Sequence, residues 1–231
     1  MAEEGQAVAK ELRRARPEVA AQIYGMLGDS LFLRCEHVKG VGLLEQARAL
    51  AVEAGARDVL GQVCNSLGHF HRGQGEHEKA IRELEQARAI AVELGERQNE
   101  GNACHNLGIS YTLLKQYDKA IELFEQSLAI YEELGDRSGQ ASTRSNLGRC
   151  LSRHGQHDRA VACLKQAWAV YQQQGDEVEQ VRAAKTLGEA LWARARAEHH
   201  QAAPDATSCG GVSAASADTL QEAETPPQLV A

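Results

Sequence analysis

Residues 99–138 read NEGNACHNLGISYTLLKQYDKAIELFEQSLAIYEELGDRS. The pair Leu107-Gly108 in this stretch recurs along the chain at intervals of 40 residues. Its five copies are Leu27-Gly28, Leu67-Gly68, Leu107-Gly108, Leu147-Gly148 and Leu187-Gly188. A pair that returns at constant spacing indicates an internal repeat, and repeats of this length form solenoids of stacked units.

The second half of each copy keeps the same register. A small residue is followed four positions later by a bulky apolar one: Gly40 and Leu44, Ala80 and Leu84, Ala120 and Phe124, Ala160 and Leu164. Apolar positions at spacings of three and four in both halves predict two helices per copy, which we name helix A and helix B. A glycine suited to a left-handed helix end closes each full copy: Gly55, Gly95, Gly135 and Gly175.

The Leu-Gly pair lies in the middle of the predicted helix A, where a glycine costs about 1 kcal/mol relative to alanine. Close packing of helix A on helix B would offset this cost. We therefore predict that the glycines meet the small residues of helix B. The structural positions of this contact are Leu67, Gly68, Ala80, Leu107, Gly108, Ala120, Leu147, Gly148 and Ala160. Asp136 and Asp176, directly after the closing glycines, are predicted to cap the next helix A.

These positions resemble the tetratricopeptide repeat signature, in which Leu-Gly in helix A is followed by Ala and a bulky residue in helix B. The 40-residue period, with Asn-Leu-Gly at 106–108 and 146–148, is similar to the long-repeat subclass. That subclass includes the Leu-Gly-Asn-repeat, or Pins-type, adaptors that orient mitotic spindles. The resemblance implies an all-α fold, a right-handed superhelical solenoid of stacked antiparallel helix pairs, and a role in protein–protein interaction.

The period also divides the chain into segments. The predicted segments are an N-terminal capping half-repeat at 1–18, full repeats at 19–58, 59–98, 99–138 and 139–178, a partial fifth repeat that acts as a C-terminal cap at 179–200, and a tail at 201–231. Terminal repeats need such caps to cover the exposed core. The tail is rich in Ala, Ser, Gly, Thr and Pro and is predicted to be disordered, because it cannot bury enough apolar surface.

Composition and charge exclude several classes of protein. The formal net charge is -7, which argues against nucleic-acid binding, since that requires a basic surface. No apolar run approaches the roughly 18 residues of a membrane span, so membrane insertion is not expected. The six cysteines include no C-x-x-C pair, and the N-terminus lacks an apolar secretory signal. These features predict a cytoplasmic protein.

The resemblance also assigns binding positions on helix A, where tetratricopeptide proteins line their concave groove. The peptide-binding candidates are Asn65, His69, Arg72, Asn102, His105, Asn106, Ile109, Asn146, Arg149, Arg153 and Lys185. Amide side chains suit the backbone of an extended peptide, and the basic residues predict an acidic partner segment. Two alternatives stay open. Asn106 and Asn146 could bond between neighbouring repeats, and Arg149 and Arg153 could form an ordinary solvated face.

Catalytic and metal-binding motifs are missing from the sequence. There is no nucleophile elbow, P-loop or H-E-x-x-H motif, so neither enzymatic activity nor a cofactor is expected. His69 and His71 are two residues apart on a helix and point to different sides, so no metal site is predicted. The predicted function is a non-catalytic adaptor or scaffold. The alternatives are self-association, for example through Leu191 and Trp192, or a fragment of a larger multi-repeat regulatory protein.

Overall fold

The computed structural model describes residues 2–33 and 36–202. This part of the chain is entirely helical. Its helices are α1 (Ala2–Leu12), α2 (Pro17–Leu33), α3 (His37–Ala54), α4 (Arg57–Gly73), α5 (His77–Leu94), α6 (Arg97–Leu113), α7 (Tyr117–Glu133), α8 (Arg137–Arg153), α9 (His157–Gln174) and α10 (Glu177–Ala202). The predicted tail lies outside the described residues from position 203 onward. None of the helices in the described ranges is long and apolar enough to cross a membrane.

The helices form the predicted all-α solenoid. The tightest packing joins α2 with α3, α4 with α5, α6 with α7 and α8 with α9, so each pair consists of one helix A and one helix B. The pairs stack in sequence order, and α1 packs on α2. The A helices begin at residues 17, 57, 97, 137 and 177, which reproduces the 40-residue period. Met1–Arg194 form one compact unit, and the last turns of α10 belong to a second unit.

Local sequence explains where the helices start and stop. Gly95 and Gly175 end α5 and α9 in the left-handed conformation, with φ of 71° and 70°. The Asp136 carboxylate accepts a hydrogen bond from the Gly139 backbone N–H at 2.9 Å and caps α8, as the sequence predicts. Asp176 caps α10 in the same way through the backbone N–H of Glu179, at 3.0 Å. These caps satisfy backbone donors that a helix start would otherwise leave unpaired.

The mid-helix glycines lie where helix A and helix B approach most closely. A Cβ placed on Gly68 would be 2.6 Å from Leu84 Cγ and 3.3 Å from the backbone oxygen of Ala80. A Cβ on Gly108 would be 2.8 Å from the Phe124 ring. The bulky residue of helix B therefore fills the space above the glycine, and the small residue before it brings the two backbones together. This packing holds each helix A against its helix B, and the A helices carry the polar residues considered next.

Candidate binding surface

The predicted binding residues lie on α4, α6, α8 and α10, and each of these helices is the first of its repeat. We call the surface formed by α2, α4, α6, α8 and α10 the A-helix surface. Its members α2, α4, α6 and α8 contact one another directly, without helix B between them. Side chains on neighbouring A helices can therefore bond to each other, and the structure shows two such groups.

The first group joins α4 and α6. The Asn106 side-chain N–H donates to Asn65 Oδ1 at 3.1 Å, and its Oδ1 accepts from Arg72 Nη1 at 3.2 Å. Arg72 also approaches His69 Nδ1 at 3.2 Å. Asn106 is only 6% exposed. Of the two roles that the sequence leaves open for Asn106, the structure shows the bond between neighbouring repeats.

The second group joins α6 and α8. His105 Nε2 lies 3.1 Å from Asn146 Nδ2, and His105 Nδ1 lies 2.9 Å from the Thr143 hydroxyl. Because an amide N–H can only donate, Nε2 accepts, and Nδ1 carries the imidazole proton toward Thr143. The Asn146 oxygen in turn accepts from Arg149. Asn146 therefore links the third repeat to the fourth and holds Arg149 in place.

The two histidines of these groups remain uncharged near neutral pH. Burial lowers the pKa of His105 to about 4, and the charges of Arg72 and Arg149, joined by that of His69 once it is protonated, act in the same direction. Burial also lowers the pKa of His69 to about 4, with Arg72 as the second cause. The positive charge of the A-helix surface therefore comes from its arginines and Lys185.

A polar cavity of about 270 Å³ lies between α8 and α10. Its lining includes Ser142, Ser145, Asn146, Arg149, Arg182 and Thr186, together with Asp176 and Glu179. Burial lowers the pKa of Arg149, and the nearby charges of Arg153 and Arg182 lower it further. Arg182 pairs with Glu179 at 2.5 Å, whereas no described carboxylate pairs with Arg149 or Arg153. We call this end of the A-helix surface, with the exposed Arg153 and Lys185 of the same two helices, the cationic end.

A second cavity, of about 230 Å³, lies toward the other end of the surface and is lined by residues of α2, α4, α5 and α6. Its lining includes Asp29, Gln62, Asn65, Ser66, Asn99 and Asn102. Burial raises the pKa of Asp29, and a hydrogen bond from Ser66 opposes that shift. The sequence prediction missed Asp29 and Asn99. Asp29 could have been found from its register, since it occupies the position of His69 and Arg149 in the first repeat.

The remaining candidates have different surroundings. Asn102 accepts a hydrogen bond from the Tyr131 hydroxyl at 2.6 Å, so part of its bonding capacity is used within its own repeat. Ile109 is half-buried and packs against the apolar core around Phe124 and Leu147. Arg153 and Lys185 are exposed. Among residues 2–33 and 36–202, no group of three metal-ligating side chains converges.

Comparison with known families finds one model. The model of the tetratricopeptide repeat matches residues 61–133 and, in an overlapping copy, residues 102–173. These ranges contain the Leu-Gly pairs of the second, third and fourth repeats. No curated protein sequence matches the chain.

Three solved structures illustrate the similarity of fold. BtubC (BKLC) from P. vanneervenii is 21% identical, with a TM-score of 0.67 over 93% of this chain and 94% of that one. Aspartyl phosphate phosphatase F from Bacillus subtilis is 18% identical, with a TM-score of 0.70 over 80% of this chain and 48% of that one. YrrB, described as a TPR protein with an unusual peptide-binding site, is 15% identical, with a TM-score of 0.51 over 84% of this chain and 97% of that one. At these identities the likeness concerns the fold.

Proposed function

We propose that the chain is a tetratricopeptide repeat protein and, from that premise, a non-catalytic adaptor that binds an acidic segment of a partner protein on its A-helix surface. The segment is extended or a short helix. It places Asp or Glu side chains at the cationic end of the surface, near Arg149 and Arg153.

The observation that carries this proposal is the cluster of arginines at the cavity between α8 and α10. Burial contributes most to lowering the pKa of Arg149, the like charges of Arg153 and Arg182 add to that effect, and Glu189 acts in the opposite direction. Placing like charges together costs free energy unless an anion joins them. A carboxylate of a bound segment would remove that cost and could take two hydrogen bonds from one guanidinium. Glu179 already pairs with Arg182, so the carboxylate of the bound segment would act on Arg149 and Arg153.

The polar lining of the same cavity supports a peptide ligand. Ser142, Ser145 and Thr186 offer hydroxyls that can both donate and accept hydrogen bonds, as a peptide backbone requires. At the other cavity, Gln62 and Asn99 provide amides with the same ability. The peptide-binding site named for YrrB is in keeping with this use of the fold.

We also propose the subclass, repeat bounds, compartment and role that the sequence predicts. We assign the chain to the long-repeat subclass typified by the Pins-type adaptors, with repeats at 19–58, 59–98, 99–138 and 139–178. We place it in the cytoplasm, with a role in signalling complexes. Cys64, Cys104 and Cys150 are buried free thiols, which is in keeping with a reducing compartment.

Charge reversal tests the proposal. The full chain carrying Arg149→Glu and Arg153→Glu is compared with wild type in affinity capture from a cell lysate. The matched control carries Arg82→Glu and Lys165→Glu, which make the same charge change at exposed positions of α5 and α9. All three proteins must first show the same circular-dichroism melt.

We expect wild type and control to retain a partner that the double reversal loses. Overlapping peptides of that partner should then bind through an Asp- or Glu-containing segment, and replacing its acids with amides should abolish binding. Capture of the same partners by all three proteins would contradict the proposal, because the A-helix surface would then not be the working surface.

A further inference from the structure

The last glycine of the Leu-Gly series has surroundings unlike those of the other four. A Cβ on Gly28, Gly68, Gly108 or Gly148 would meet a helix B side chain at 2.6 to 2.8 Å. A Cβ on Gly188 would meet no atom of residues 2–33 or 36–202 within 4 Å. In the first four repeats, the space above this glycine receives a side chain of helix B, and we call it the notch. On α10 the notch is therefore unfilled.

The positions around Gly188 are also exposed on α10, whereas residues at the same register in other repeats are buried. Val181, Ala184, Gly188 and Leu191 lie on one face of α10, at spacings of three and four, and we call this set the α10 face. Val181 is 71% exposed and Leu191 is 36% exposed. In the inner repeats, Cys64 and Cys104 at the position of Ala184 are fully buried, as is Leu151 at the position of Leu191. The α10 face thus continues the established interface between helix A and helix B.

We propose that the α10 face is a docking site for one amphipathic helix of a partner protein, which takes the place of a fifth helix B. The contacts within the complete pairs of helix A and helix B indicate which residues this partner helix needs. Leu84 fills the notch at Gly68, and the backbone of Ala80, four residues earlier, lies against the same glycine. The partner helix therefore carries a leucine opposite Gly188 and a small residue four positions before it.

Val181 adds a second requirement. The second repeat has Gly61 at this position, and a Cβ added to Gly61 would lie only 3.1 Å from Ile90 Cγ2. Because Val181 already occupies that space, the partner helix needs a small residue where Ile90 stands, six positions after its leucine. The complete pattern is a small residue, a leucine four positions later and another small residue six positions after that.

A second copy of this chain fits this pattern poorly. Helices α3, α5, α7 and α9 are already packed in their own pairs. The leucine of α1, Leu12, is half-buried and has the bulky Val8 four positions before it. The α10 of a second copy carries Ala183, Leu187 and Ala193 at the required spacing, but Ala183 is buried within its own chain. The chain's own C-terminal sequence contains Leu220-Gln221-Glu222-Ala223, close to Leu84-Glu85-Gln86-Ala87. It then has Pro226 and Pro227 in the register of Ile90 and Ala91, where proline is not compatible with a continuing helix.

The probe for the test is a synthetic peptide with the 18-residue sequence of α5 and the change Ile90→Ala. The peptide carries an N-terminal fluorescein, and its fluorescence anisotropy is followed as the full chain is titrated in, because both tryptophans of the chain would contribute to an intrinsic signal. We expect saturable binding. The same peptide with Leu84→Glu should not bind, because a carboxylate would enter the apolar notch.

Two protein variants locate the site. Gly188→Leu fills the notch and should weaken binding roughly tenfold or more. Gly42→Leu is the matched control, since Gly42 is an exposed glycine on α3 whose Cβ would also meet nothing within 4 Å. It should leave binding unchanged.

Three results would overturn the proposal. The first is no saturable binding, or equal binding to wild type and Gly188→Leu. The second is a dimer of the full chain in sedimentation that Gly188→Leu dissociates, which would assign the face to a second copy. The third is peptide binding only after removal of residues 203–231, which would assign the face to the chain's own C-terminal segment.

Discussion

His105 accepts a hydrogen bond from Asn146 across the boundary between the third and fourth repeats, with 3.1 Å between Nε2 and Nδ2. Asn65 and Asn106 make the equivalent bond between the second and third repeats, again between residues 41 apart. The next members of this series are Ser145 and Thr186. Both side chains are shorter, and the Thr186 hydroxyl donates to the Arg182 backbone oxygen instead. The cavity between α8 and α10 therefore opens where the series of inter-repeat bonds stops.

Replacing Asn146 with alanine should destabilise the protein rather than only weaken binding. The change leaves His105 Nε2 without its donor at a part-buried site, which costs about 1–3 kcal/mol. Chemical denaturation measures the loss. In a double-mutant cycle with His105→Ala, the two changes should be strongly non-additive, since each removes the same bond.

Ser145→Ala is the matched control for this change. Ser145 lies one residue away on α8 and lines the cavity, so its loss should change the free energy of unfolding by less than about 0.5 kcal/mol. An Asn146→Ala protein as stable as wild type would show that the inter-repeat bond contributes nothing.

Stability should fall as the pH is lowered from about 6.5 to 4. His69 and His105 have pKa values of about 4 in the folded chain, whereas an unfolded histidine has a pKa near 6.5. Between these values the unfolded state binds protons that the folded state does not. Each histidine can therefore lower the free energy of unfolding by at most about 1.4 kcal/mol per pH unit.

Urea denaturation at pH 7, 6 and 5 gives this slope. His105→Gln keeps a side chain that can hydrogen-bond but cannot titrate, so its slope should be smaller than that of wild type. Equal slopes would mean that His105 does not stay neutral in the folded state.

The repeat made the fold predictable, because the Leu-Gly pairs, the closing glycines and the caps at Asp136 and Asp176 each follow from one local rule. The binding surface was less predictable. Register alone places Asn106 on helix A but does not show whether it bonds to the next repeat or faces a ligand. The cavity at Ser145 and Thr186 depends on side-chain length across a helix boundary, which only the packed structure shows.

The buried cysteines should resist alkylation in the folded protein. Burial raises the pKa of Cys64 to about 12 and raises those of Cys104 and Cys150 above their ordinary value. The thiolate is the reactive species, so at pH 7.5 these three side chains should react far more slowly than a free thiol. Iodoacetamide labelling followed by peptide mass spectrometry measures each site. Labelling should become complete in denaturant, and rapid native labelling of Cys64 would contradict its burial.

Helical glycines that contact helix B and helical glycines that face solvent should respond to alanine with opposite changes in the free energy of unfolding. Gly108→Ala places a Cβ 2.8 Å from the Phe124 ring, which is itself buried and cannot move aside, so the expected cost is about 1–3 kcal/mol. Gly42→Ala meets no neighbour and should stabilise the protein by roughly 0.5–1 kcal/mol, since alanine favours the helix. Thermal melts of the two variants test the pair. If both variants were stabilised, helix propensity would outweigh packing at Gly108, and the Leu-Gly pair would not owe its recurrence to close contact between helix A and helix B.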